Sequence, residues 1–213
     1  MTTSSFTACF SCSCHYIITK YYYIIKNQIE LDGWSLLYPQ RKINNIYMDD
    51  FENSSYIDSI EGHLNKKKYR IRWYGDFKII KNPVFEIKTK NGFEVKKENY
   101  NIKELEDFNF LDSDDLNKIT LFINNKFNLK NKLVPILTTH YLRSYFVSSN
   151  NLIRATLDTN IKSLPFTLCN SIGVMKEYKH IILEIKYNLN LDHFVRNNIK
   201  NIPVRFSKIS KFV

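Results

Sequence analysis

The seven residues Lys68-Tyr69-Arg70-Ile71-Arg72-Trp73-Tyr74 constrain the fold more than any other stretch of the chain. They alternate strictly. In an extended strand Lys68, Arg70, Arg72 and Tyr74 fall on one side, and Tyr69, Ile71 and Trp73 on the other. The apolar side needs a layer to bury against. The opposite side sets cations in a row at a repeat of about 7 Å, close enough to repel. Such a face is either a solvated edge guarded by charge or the wall of a cavity that takes an anion. The recurrence of the pattern favours the cavity.

Val84 to Lys90 alternates again, with Glu86, Lys88 and Lys90 on one face. Asn91-Gly92 is a strong hairpin signal, and Phe93 to Lys97 reads as the return strand, with a cation at Lys96. Pro135 to Val147 groups Thr139, Tyr141, Arg143 and Tyr145. Leu152 to Asn160 groups Arg154, Thr156 and Asp158. His180 to Tyr187 groups Ile182, Glu184 and Lys186, and Val204 to Lys208 reads as a last strand. Ile43 to Asp49 reads as a strand after a turn at Tyr38-Pro39, and Tyr16 to Ile25 as a strand or a strand plus helix. Helices are expected where Leu105, Phe108, Leu111, Leu116, Ile119, Ile123 and Phe127 recur at three- and four-residue spacing, with an N-cap at 112–114. After Asp49 a helix entry is expected, with Asn53-Ser54-Ser55 able to cap or turn and a short helix or loop on to Gly62, and a short amphipathic helix is expected over Leu191 to Lys200.

A sandwich would bury the apolar sides together and leave the charged sides outside. A barrel wrapped by helices does the reverse and encloses a polar lumen. The pairing of Glu with Lys in Glu86-Ile87-Lys88 and Glu184-Ile185-Lys186 suits a metal–polyphosphate: cations for phosphate oxygens, a carboxylate for Mg²⁺ or Mn²⁺. Charge agrees. Among 213 residues, 31 Lys+Arg against 21 Asp+Glu give a net +10, which favours a polyanionic partner. The chain is rich in Asn, Lys and Ile, so its arginines are more telling than its lysines. No apolar run reaches the length of a transmembrane helix, and the first residues lack a secretory pattern. Four cysteines do not make a disulfide framework at this length, so a reduced, cytoplasmic protein is expected. Cys9, Cys12, Cys14 and His15 lack the two separated pairs of a zinc knuckle. Residues 1–15 read as an N-terminal arm, and 16–213 as the domain.

The motifs together resemble one family. Lys68 to Asp76 (KYRIRWYGD), Glu86-Ile87-Lys88, Thr139-His140-Tyr141-Leu142-Arg143, Arg154-Ala155-Thr156-Leu157-Asp158, Leu183-Glu184-Ile185-Lys186 and Phe206-Ser207-Lys208 occur in the order of the VTC domain. That is the polyphosphate polymerase domain of the triphosphate tunnel metalloenzyme superfamily. Asn45-Ile46-Tyr47-Met48-Asp49 is similar to that family's Ser-Ile-Tyr-Phe-Asp strand. The resemblance implies an α+β fold, an antiparallel β-barrel of about eight strands with flanking helices. It implies transfer of the γ-phosphoryl group of ATP to a growing polyphosphate chain, with Mn²⁺ or Mg²⁺ as cofactor.

By motif, the catalytic residues implied are Arg70, Arg72, Lys88, Arg143, Arg154 and Lys208. The substrate-binding residues are Lys20, Lys96, Tyr141, Lys186, Arg205 and Ser207, and Glu184 holds the metal. The family's first strand carries an Arg-Tyr-Glu-x-Lys pattern. Here Cys14 to Tyr21 lacks the glutamate, and Lys20 stands in for the lysine. ATP and polyphosphate are the expected partners, with a membrane-associated partner protein as a further one. Nucleic acid is not expected, because glutamates share the basic faces and only tyrosines lie there to stack on bases. A tunnel-type triphosphate hydrolase and a non-catalytic polyphosphate or nucleotide binder remain as alternatives.

Overall fold

A computed structural model describes residues 12–18, 22–92, 94–166, 173–199 and 205–207. The elements run β1 (Cys12–Ile18), α1 (Tyr22–Leu31), β2 (Ser35–Asp49), α2 (Ser54–Ile60), β3 (Lys66–Tyr74), β4 (Val84–Asn91), β5 (Glu94–Asn101), α3 (Ser113–Phe127), β6 (Val134–Val147), β7 (Arg154–Pro165), β8 (Lys176–Glu177), β9 (His180–Lys186), α4 (Asp192–Ile199) and β10 (Arg205–Ser207). The strands form one antiparallel sheet in the order β10-β1-β9-β7-β6-β2-β3-β4-β5, with β8 paired to β7. The fold is α+β, as expected. The sheet is strongly curled rather than closed. Among the described residues β5 and β10 end the ladder without pairing.

The apolar sides of the strands face outward and are covered, as alternation requires. Met48, Ile71, Trp73 and Phe85 pack with Ile119 and Ile123 of α3, Leu105 and Phe110 in one cluster. Phe146, Leu157, Ile181, Leu183 and Ile185 pack with Ile25 and Ile29 of α1 and Val195 of α4 in another. The inner face is largely polar. Its apolar part is a small patch of Ile43, Tyr141, Ile161 and Ile182, with Tyr145 against it.

One local expectation is corrected and another is narrowed. Tyr38-Pro39 is not a turn before a strand. It lies inside β2, which irregularities at 36–38 and 38–41 allow to continue past a residue with no ladder N–H. Of cap or turn at 53–55 the structure takes the turn, and Asp49 and Asp50 supply the cap of α2. Asp49 accepts from the Ser55 and Tyr56 N–H at 3.0 and 2.9 Å, and Asp50 from the Ser54 N–H at 2.9 Å. Asn53 supplies the left-handed backbone, φ 56°.

Candidate active site: a basic channel on the inner face

The register of β3 builds the first wall. Arg70 faces Tyr47 on β2 and Glu86 on β4, Arg72 faces Asn45, and Lys68 faces Lys88, which in turn faces Lys97 on β5. The two arginines share one carboxylate. Nε of Arg70 donates to Oε2 of Glu86 at 2.7 Å, and Nη1 of Arg72 lies 3.3 Å from Oε1. Nε of Arg72 donates to Oδ1 of Asn45 at 3.0 Å, and Asn45 donates to the Thr139 hydroxyl at 3.1 Å. A planar fork held along one edge keeps its other N–H groups aimed in a fixed direction.

Electrostatics on this wall show an excess of cation. Burial and the neighbouring Lys66, Lys88 and Arg70 push the Lys68 ammonium down to about 8. Burial, Arg70, Lys186 and Lys88 push Lys97 down to about 8 as well, against the pull of Glu86. Lys97 remains exposed, so water screens part of this push. Burial alone would raise the Glu86 carboxyl, but Arg70 and Arg72 outweigh it and hold the group below its ordinary range.

The second wall comes from β6, β7 and β9. Arg143 on β6 faces Asp158 on β7, which faces Ile182 on β9, and Thr156 faces both Tyr145 and Glu184. Arg143 and Asp158 form a two-pronged pair at 2.6 and 2.7 Å. Asp158 is fully buried (0% side-chain exposure) and Arg143 nearly so at 12%. Burial opposes the charge on Arg143, but Asp158, Tyr141 and Glu184 more than offset it. Arg154 faces Lys186 across the β7–β9 ladder, both exposed to the channel side. The two walls approach closely enough for Lys97 and Lys186 to repel.

The structure therefore brings Arg70, Arg72, Lys88, Tyr141, Arg143, Arg154, Glu184 and Lys186 onto one inner face. Lys96 does not join them. It faces Thr89 and pairs with Glu98 at 3.1 Å on the other side of the sheet, and Lys97 takes the inner position. Arg205 and Ser207 sit at register positions opposite Tyr16 and Cys14, in line with Ile182 and Glu184. Lys20, Lys208 and Cys9 lie outside the described residues. Sequence reasoning missed Lys97, Asn45 and Tyr47. Lys97 could have been found by counting across the hairpin; Asn45 and Tyr47 share the inward parity of Ile43.

Curled antiparallel sheets of this kind occur in solved structures of low identity. A protein described as a putative adenylyl cyclase from Hippeastrum with a dominant triphosphatase activity aligns at TM-score 0.56 and 12% identity, over 94% of this chain and 91% of that one. A putative adenylate cyclase from Bacillus halodurans gives 0.57 and 10%, over 93% and 92%. One from Vibrio parahaemolyticus gives 0.53 and 10%, over 95% of each. No curated protein matches. The family model for the VTC domain matches residues 15–213. The chain belongs to the VTC domain family.

Membership in the VTC domain family implies a divalent metal. No group of three or more His, Cys, Asp or Glu among the described residues makes a self-sufficient metal cage. Glu86 and Asp158 are each committed to arginine forks. Glu184 lies 3.4 Å from Lys186 and 3.9 Å from Arg143 on the inner face. Beside it the buried Thr156 hydroxyl has no hydrogen-bond partner among the described residues. One carboxylate plus substrate phosphates is a common donor set for a small hard cation.

Proposed function

We propose that this VTC domain binds ATP in the basic channel and transfers its γ-phosphoryl group to the end of a polyphosphate chain. The observation that carries the reading is the convergence of Arg70, Arg72, Lys88, Arg143, Arg154 and Lys186 on one inner face that also holds Glu184. In this reading Arg70, Arg72 and Lys88 hold one side of the phosphate run, with Lys68 and Lys97 beside them. Arg143, Arg154 and Lys186 hold the other, and Tyr141 and the Thr156 hydroxyl add neutral donors. The family resemblance adds Lys20, Arg205, Ser207 and Lys208 to this grip.

Phosphoryl transfer asks for positioning and charge neutralisation more than for a covalent nucleophile. A terminal phosphate oxygen of the polymer forms the new bond to the γ-phosphorus, the bond to the β–γ bridging oxygen breaks, and ADP leaves. The attacking oxygen is already anionic, so no strong base is needed. The arginines are fixed in advance by Glu86, Asn45 and Asp158, so little reorganisation is required as charge moves. A divalent cation, Mn²⁺ or Mg²⁺, held at Glu184 supplies further withdrawal of charge from the phosphate oxygens.

Hydrolysis of a triphosphate, with water in place of the polymer end, is the second reading. It is favoured by the triphosphatase activity in the description of one structural relative. Incubation with ATP and Mn²⁺ separates the readings: a ladder of long polyphosphate supports transfer, and orthophosphate alone supports hydrolysis. Tight binding without turnover would leave a polyphosphate or nucleotide binder. Arg72→Ala and Glu184→Ala should each abolish product. A membrane-associated partner gains no support from the fold or the family.

A further inference from the structure

At one end of the arginine set lies a cluster that the proposed transfer does not use. The Arg41 guanidinium sits 4.7 Å from the ring centre of Tyr38, 5.7 Å from that of Tyr145 and 5.9 Å from that of Tyr74. Tyr38 and Tyr145 meet edge to face, their centres 5.7 Å apart. Tyr38 and Tyr74 are 44% and 40% exposed, and both rings lie beside the same guanidinium rather than scattered singly. Arg41 is exposed as well.

The cluster is continuous with the channel. Arg41 faces Arg143 in the β2–β6 ladder, and the Tyr145 ring centre lies 5.9 Å from the Arg143 guanidinium. Burial pushes the Tyr145 phenol up, against the opposing charges of Arg143, Arg72 and Arg41. One ring thus lies beside both the buried Arg143 fork and an exposed group of two tyrosines and a guanidinium. Flat π-faces and a planar cation are the surfaces on which any nucleobase stacks, with little preference for its identity.

We propose that Tyr38, Tyr74 and Arg41 form a nucleobase subsite, which makes a nucleoside triphosphate the preferred ligand over bare triphosphate. This rests on the reading of the channel as a triphosphate site. The base lies on the exposed tyrosines at the mouth, and the phosphates run inward past Tyr145 to Arg143 and Arg72. Stacking supplies affinity without base readout, so ATP and GTP bind alike.

The test is titration of the whole chain with ATP and, separately, with inorganic tripolyphosphate. Tyr38→Leu and Tyr74→Leu should each weaken ATP about tenfold, the order expected from losing a stacking platform, and shift tripolyphosphate less than about twofold. Tyr38→Phe, which keeps the ring, should bind ATP as the unaltered protein does. Unchanged ATP binding in both leucine variants, or equal weakening of both ligands, overturns the subsite and leaves the channel reading intact. If the unaltered protein binds neither ligand, the channel reading itself fails and the subsite falls with it. Tripolyphosphate binding by each variant reports that the fold is retained.

Discussion

Lys68 and Lys97, each held to about 8 by burial and neighbouring cations, make the channel's charge dependent on pH. The unfolded chain keeps these lysines protonated to about 10.4, so between the two values it binds more protons than the fold, and stability rises with pH across that window. Ligand binding runs the other way. A polyanion favours the charged lysines, so affinity for tripolyphosphate should fall as pH rises through about 8, with proton uptake on binding. Calorimetry in buffers of different ionisation heat measures the uptake. The difference from a Lys68→Met/Lys97→Met variant isolates the protein's share from the phosphate's own. Identical uptake in the two proteins would show that these lysines do not meet the ligand. Asp158 is a separate case, because it stabilises a buried guanidinium. Asp158→Asn should cost about 3–5 kcal/mol in urea unfolding, the usual penalty for stranding one half of a buried pair. Lys96, which motif matching misplaced, is instructive. The hairpin pairs Asn91 with Glu94, and any two-residue turn sets even-numbered residues of β4 opposite odd-numbered residues of β5. Lys88 therefore brings Lys97 inward and sends Lys96 out. Motif matching fixed on the nearer lysine where parity held the answer.

Among the elements, β3 was fully legible: its buried Ile71 and Trp73 and its partly buried Arg70 and Arg72 fall where a period of two puts them. The β6, β7 and β9 faces were legible for the same reason, and α3 from its buried Leu116, Ile119 and Ile123. The first half of β2 was not. Proline normally ends a ladder, and only tertiary pairing with β6 through irregular register keeps residues 35–42 extended. That irregularity also carries Tyr38 and Arg41 into the cluster at the channel mouth, which no periodicity would have announced. The start of α2 depends on carboxylates outside the helix. Asp49, buried at the end of β2, holds two of its first N–H groups. Asp49→Ala should lower stability by about 1–2 kcal/mol, read as a fall in the urea midpoint with an unchanged slope. An altered slope would mean instead that the local fold had been lost.

For the molecule as a whole, the ligand is an electrostatic complement to a channel that repels itself. Tripolyphosphate should raise the unfolding temperature, with a gain of about 2.7 kcal/mol at a hundredfold excess over Kd. Thermal scans at increasing salt should show the gain shrinking as the charges are screened. A salt-insensitive gain would place the ligand away from the basic face. Among the described residues the ladder stops at β5 on one side and β10 on the other. A closed ring accepts a long thread only by its tip, whereas a slit sleeve can take hold of one anywhere along its length. Polyphosphate blocked at both ends should then compete for the groove as well as chains with bare ends do.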